Sequence, residues 1–387
     1  MNIILHDFSN HLIFAPLTLT RPVGNLRTGM WTNDERWQFY LPEATISFQT
    51  EAHLSDKFPL TQTQDNVWIN ATVIPTAALA LLVQKISMGE SLYVNGIFVA
   101  HRGADFTPRD NSSEELEDLI LLENRWDIFQ KNDVILIADF AAFTEGRKSA
   151  PLSKTNTLIG DPNQLFIEDG ATVECAVLNV KTGPIYIGKN AEIMEGSVVR
   201  GGLAMAESSA LKLGTKVYGA TSLGPHCKIG GEVNNVVFQA YSNKGHDGFL
   251  GNSIIGEWCN LGADTNSSNL KNNYGNVKTY SYLTEDMEQT ELMFMGVTMG
   301  DHSKTSINTM LNTATVIGVC ANLFSSGFPP KYVPNFSWGG EPDSPVYNLD
   351  RAIDAANQMM VRRGKQITTS DLKILSFLFP EKKSNDF

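Results

Sequence analysis

At 387 residues the chain is long enough for two or three domains, and 42% hydrophobic residues suffice for a large core. A formal charge of −12 argues against nucleic acid as a partner. No apolar run approaches the ~20 residues of a membrane-spanning helix, and the opening MNIILHDFSN has no basic stretch ahead of its apolar run, so neither a membrane partner nor a signal peptide is expected. The four cysteines, Cys175, Cys227, Cys259 and Cys320, are scattered without a CxxC pair. That pattern fits a reduced, cytoplasmic protein and argues against a zinc site.

Residues 1–150 alternate strand and helix patterns. Apolar strand candidates are Asn2–Leu5, Thr45–Phe48, Val67–Ile69, Ser91–Ile97 and Val134–Ala138. Helix candidates are Pro75–Lys85 and the acidic Ser113–Glu123, the latter with Asn111, Ser112 and Ser113 as caps. The alternation predicts an α/β domain. The polar stretch after Gly146, with Pro151, reads as a linker.

From Ile187 an apolar residue returns at every sixth position: Ile187, Ile193, Val199, Met205, Leu211, Val217, Leu223 and Ile229. Six is neither a helical nor a plain strand period. It is the mark of a parallel β-helix, three hexads to a coil, predicted here over 151–335. Three of the cysteines, Cys175, Cys227 and Cys259, fall in or beside hexad positions as small buried residues. The ladder is expected to lapse at Asn235, to resume at Ile255 and Leu261, and to return at Met299, Leu311, Ile317 and Leu323. The tail, 336–387, reads as helical. Leu349, Ile353, Ala356 and Met360 form one stripe, stopped by Arg362, Arg363 and Gly364, and a second helix spans Ser370–Phe379. These helices are expected to cap the open end of the prism.

The stretch from Asn234 to Lys278 is rich in Asn, His and Lys, which a β-helix does not need unless it lines a groove. It reads Lys244-Gly-His246-Asp-Gly-Phe249-Leu-Gly, then Ile255-Gly-Glu-Trp-Cys-Asn260-Leu-Gly-Ala, then Asn266-Ser-Ser-Asn269. This order resembles the acetyltransferase domain of the bifunctional UDP-N-acetylglucosamine pyrophosphorylase / glucosamine-1-phosphate N-acetyltransferase family. The resemblance implies an N-terminal sugar nucleotidyltransferase domain on a left-handed β-helix, acetyl-CoA as acyl donor, and a homotrimer.

Carried over residue by residue, the resemblance implies His246 as general base, Asn269 orienting the amine, Asn260 on the sugar and Ser306 near the thioester carbonyl. An imidazole suits the first role because it titrates near the working pH. Where the family holds a sugar phosphate, this chain offers Lys278, has Phe249 in place of a tyrosine and Asn234 in place of a lysine, and keeps Lys244 and Lys271 as substitutes. Arg362 and Arg363, with Lys304 and Lys331, are cations within the tail and prism that suit CoA phosphates or a solvated face.

The N-terminal resemblance rests on Ala15-Pro16-Leu17-Thr18-Leu-Thr20-Arg21-Pro22. The loop after the first strand, His6-Asp-Phe-Ser-Asn-His, holds no glycine, so Arg21 and Arg27 are the expected phosphate donors. Asn70 stands where the family places a magnesium-binding aspartate, Mg²⁺ being implied for this domain. The sequence therefore points to a transferase of amino-sugar activation that takes a sugar phosphate or sugar nucleotide, with a nucleoside triphosphate as a second substrate. Two other readings fit the same residues. One is a nucleotidyltransferase whose β-helix only oligomerises. The other is a sugar-nucleotide-binding scaffold.

Overall fold

The computed structural model describes residues 1–108 and 112–380. The chain divides into two compact units, Met1–Leu26 with Trp31–Arg125, and Arg27–Met30 with Trp126–Phe387.

The first unit is an α/β sheet built around the strand Asn2–His6. That strand pairs in parallel with Thr45–Gln49 on one side and Asn66–Asn70 on the other. Ile3, Ile4 and Leu5 are all fully buried, which requires both faces of the sheet to be covered. Ile97–Gly103 runs antiparallel to Asn66–Asn70 and turns back on Ser91–Val94. The two-residue turn, Asn95-Gly96, has φ of 50° and 77°, the left-handed pair a tight hairpin demands. Helix Asn33–Tyr40 starts on a Thr32/Glu35 capping box, and Ala77–Lys85 on the Thr76 hydroxyl.

Two sequence expectations are overturned. The acidic segment 113–123 is not a helix: it holds the strands Ser112–Glu114 and Ile120–Leu121. Its carboxylates would repel one another at helical spacing, and Asn95 holds Leu116 in place through both the backbone N–H and the carbonyl. The proposed cap Asn111 lies outside the described residues. Conversely, Val134–Ala138 belongs to the helix Asn132–Thr144, which buries Ile135, Leu136, Asp139 and Phe140 on one stripe. A short apolar run does not distinguish the two periods.

The second unit is a parallel β-helix with helices before and after it. Three columns of parallel pairs form its faces. Leu178, Val199, Val217, Val233, Leu250 and Leu311 point inward on the first. The second carries Ile187, Met205, Leu223, Phe238, Ile255, Met299 and Ile317. The third carries Val173, Ile193, Leu211, Ile229, Leu261 and Leu323. The sixth-residue ladder is thus the core, each side chain stacked on its equivalent in the next coil. Cys227, Cys259 and Cys320 are buried free thiols, whereas Cys175 is exposed, against expectation.

The ladder does not lapse at Asn235. That residue sits on a bend with φ of 55°, and Val233 and Phe238 take the inward places. The period breaks because the coil is tightened: Val199 pairs Val217, a step of 18, but Val217 pairs Val233, a step of 16. The true excursion comes later, where Ile254 pairs Thr298, a step of 44. It leaves the prism after Ser267 and carries the antiparallel hairpin Lys278–Ser281 with Asp286–Gln289.

At the corner between the second and third faces the backbone turns left-handed without glycine, at Ser208, His226, Tyr241, Trp258 and His302. The four rings form a stack, with centroids 5.0, 4.2 and 6.5 Å apart. Imidazoles 226 and 302 are thereby structural rungs.

The tail helix Leu349–Val361 buries Ala352, Ala356 and Met360, and Asn348 caps it by accepting from Arg351 N–H. Its C-terminal end lies along the third face, where Arg363 donates to the Asn243 side chain at 3.2 Å.

Candidate functional site

On the third face, residues just before the inward ladder point outward and stack from coil to coil. Lys228 pairs Asn243, Asn243 pairs Asn260, and Asn260 pairs Lys304. Lys304 turns its ammonium to the His302 carbonyl, whereas Lys228, Asn243 and Asn260, with the helix end beside them, line a cavity of about 590 Å³. Its wall includes Lys212, Lys228, Asn243, Asn260, Arg362 and Arg363, and no carboxylate among the described residues. The Lys228 ammonium lies below its ordinary pKa, first through burial and then through Arg363, Lys212 and Arg362, with Glu192 opposing. Cations crowded in this way favour an anion between them. Arg362 and Arg363 also complement the negative end of their helix.

His246 is exposed and lines this cavity, on the corner that follows the third-face strand. The corner is set by close backbone stacking. A Cβ on Gly230 would meet the carbonyl of Gly245 at 2.6 Å and the N–H of His246 at 3.1 Å. Gly262, Ala263 and Ile307 continue the wall in the next two coils.

Asn260 lines the cavity, as its expected sugar contact requires. Ser306 stacks over Gly262, and its hydroxyl faces the Ile307 carbonyl and the Thr309 hydroxyl, each at 3.3 Å. Asn269 opens the excursion and donates to the Asn252 side chain at 2.7 Å, while its carbonyl accepts from Met295. Phe249 lies on the first face, in register with Glu232 and bonded through its N–H to Asn266. Lys278 is exposed on the excursion hairpin, where its carbonyl accepts from Lys331. The structure therefore gathers His246 and Asn260 at one cavity, with Ser306 next to the lining residue Ile307. Asn269, Phe249 and Lys278 do not line it.

Lys244 is placed otherwise than expected. It occupies an inward position of the third face, in register with Ile229, and is 1% exposed. Its ammonium donates to the carbonyls of Gly230 and His246, both at 3.0 Å, rather than facing a substrate.

Arg27 is likewise withdrawn, because its Nε donates to the Gln239 carbonyl at 2.9 Å and its Nη1 to the Met30 carbonyl at 2.8 Å. Arg21, in the first unit, is buried at 3%. The loop after the first strand compensates for its missing glycine by conformation: Phe8 and Ser9 have φ of 46° and 63°. Phe8 stacks on His6 at 3.9 Å, and burial holds that imidazole down at about 4. Asp7 accepts from Val23 N–H and Thr50, yet burial raises its carboxyl to about 7. The amide of Asn70 is taken by Thr72 and the Phe98 carbonyl. No trio of acidic, His or Cys side chains among the described residues is placed to hold a metal. Asn70 thus presents a neutral, already engaged amide where a carboxylate would hold Mg²⁺.

Sequence reasoning passed over Lys212, Lys228 and Asn243. The available signal was their position next to Leu211, Ile229 and Lys244 on the third-face ladder, which turns them outward together. Arg362 and Arg363 stand out in the sequence as helix stop signals and as cations suited to CoA phosphates or a solvated face; their meeting with Lys212 and Lys228 at one cavity does not.

Residues 3–148 match the family model described as sugar nucleotidyl transferase, less than half of the chain. Among curated proteins no relative matches. Solved structures similar to the chain include an Arabidopsis UDP-N-acetylglucosamine acyltransferase, 14% identical over 58% of this chain and 78% of that one, with a TM-score of 0.25. Another is a hexapeptide transferase family protein from Anaplasma phagocytophilum, 17% identical over 54% of this chain and 92% of that one, with a TM-score of 0.17. Likeness at that level says nothing of ligands.

Proposed function

We propose that the β-helix transfers an acetyl group from acetyl-CoA to the amine of an amino-sugar phosphate or sugar nucleotide, with His246 as general base. The observation that carries this reading is an exposed imidazole on the wall of a cavity whose charged side chains are all cationic. Both substrates are phosphorylated, and guanidinium groups bind phosphate through charge-assisted hydrogen bonds.

In this mechanism the amine nitrogen attacks the thioester carbonyl carbon and gives its proton to His246. The tetrahedral adduct then collapses, the C–S bond breaks, and the thiolate leaves to be protonated as free CoA. A positioned base of this kind contributes roughly 10²–10⁴-fold. Asn260 contacts the sugar from the same wall. Asn269 and Lys278 join this site only when substrate or a second subunit spans the corner, which fits a homotrimer in the cytoplasm. The test is release of free CoA thiol when acetyl-CoA is mixed with glucosamine 1-phosphate or another amino-sugar phosphate. Absence of release with every such acceptor defeats the reading.

A second activity is favoured by the match over residues 3–148: nucleotidyl transfer to a sugar 1-phosphate by the first unit. Pyrophosphate release from UTP or dTTP without acetyl-CoA tests it.

A further inference from the structure

The geometry points to Lys244 as a positioning residue for His246, acting from inside the prism. This inference rests on the acyl-transfer reading of His246. Apart from Thr305, whose hydroxyl is met by that of Thr265, the other inward side chains of the third-face ladder are apolar, from Val173 through Ile229 and Leu261 to Leu323. A leucine would serve the core at 244, because an ammonium withdrawn from water is costly there. What the lysine adds is reach. Its stem fills the ladder position, and its Nζ donates at once to Gly230 and His246, two carbonyls on successive coils at the same corner.

The two bonds clip the His246 corner to the coil before it. The stacking is already close there, since Gly230 has no room for a methyl group beneath Gly245 and His246. Asp247, Asp264 and Glu232 surround the ammonium electrostatically and favour its charged form, against burial. The ammonium bonds to the backbone of His246 and not to its ring. The lysine therefore fixes where the backbone presents the ring and leaves the ring free for the proton.

The experiment compares wild type with Lys244→Met. Two readouts are used: kcat and KM for acetyl transfer, and the imidazole ¹H–¹³C correlation of His246, assigned by its loss in His246→Gln. The inference expects a melting temperature no lower than wild type, kcat reduced about tenfold or more, KM for acetyl-CoA within twofold, and a shifted or broadened His246 signal. Misplacement of a reacting group by about 1 Å carries penalties of this order. An unchanged His246 signal with unchanged kcat overturns it, as does a loss of activity explained wholly by a lower melting temperature. If Lys244→Met does not fold, Lys244→Leu, which keeps the ladder position apolar and likewise removes both donors, is read in the same way. If wild type transfers no acetyl group, the reading of the reaction fails, and the imidazole signal alone still decides whether Lys244 sets the corner.

Discussion

The ammonium of Lys244 and the backbone carbonyl of His246 lie 3.0 Å apart, the first inside the β-helix and the second on its surface. Burial lowers this lysine to about 8 from an ordinary 10.5. Between those values the unfolded chain binds more protons than the folded one, so stability rises with pH from about 8 to 10.5. Chemical denaturation across that range should show the rise in wild type and its loss in Lys244→Met.

Asp7 carries the opposite dependence. Its carboxyl is raised from 3.8 to about 7, so between those values the folded state holds the proton more tightly. Stability of the first unit should therefore fall as pH rises through that window, by at most on the order of 4 kcal/mol. Asp7→Asn should flatten the slope in urea titrations at pH 4–8.

Arg362 and Arg363 bring two cations to the cavity wall. Replacing either by alanine should weaken acetyl-CoA binding roughly tenfold to a hundredfold at low salt, at about 1.5–3 kcal/mol for a hydrogen bond to a charged group. Calorimetry at rising ionic strength should show wild type converging on the variant, because exposed charges are screened.

Gly230 is where backbone approach leaves no room. Gly230→Ala should push the Gly245–His246 segment outward, lowering acetyl transfer in proportion to the strain at the corner. The measurement is kcat beside circular dichroism, with the β-helix signal retained.

The repeat was legible because one periodic rule holds over many coils: each inward place is apolar, and eight in succession were visible from Ile187 to Ile229. It failed at Asn235 because a tightened coil moves the register without changing the core, so Val233 carries on the ladder two residues early and Phe238 three. Lys244 reads as a cation for the substrate phosphate, since nothing in composition distinguishes an inward lysine from an outward one. Only the register with Ile229 does so. The cavity was less legible still, because its wall joins Lys212, Lys228 and Asn260 from separate coils to Arg363 just past the end of a distant helix. The helix of Val134–Ala138 and the strands of 112–121 were misread for a local reason, a short apolar run in one case and an acidic run in the other.

Core and surface on one strand end should respond in opposite ways. Leu211 is fully buried in the ladder, and Leu213, two residues on, is 68% exposed. Leu211→Ala should cost about 2–5 kcal/mol, and Leu213→Ala less than about 0.5 kcal/mol, read as shifts in denaturant midpoint.

The most direct measurement is the rate of acetyl transfer by His246→Ala beside wild type, with melting temperature followed in the same samples. Because the side chain is exposed, the account predicts an unchanged melting temperature and a rate lower by about 10²–10⁴-fold. A variant that acetylates amino-sugar phosphates as fast as wild type would contradict it.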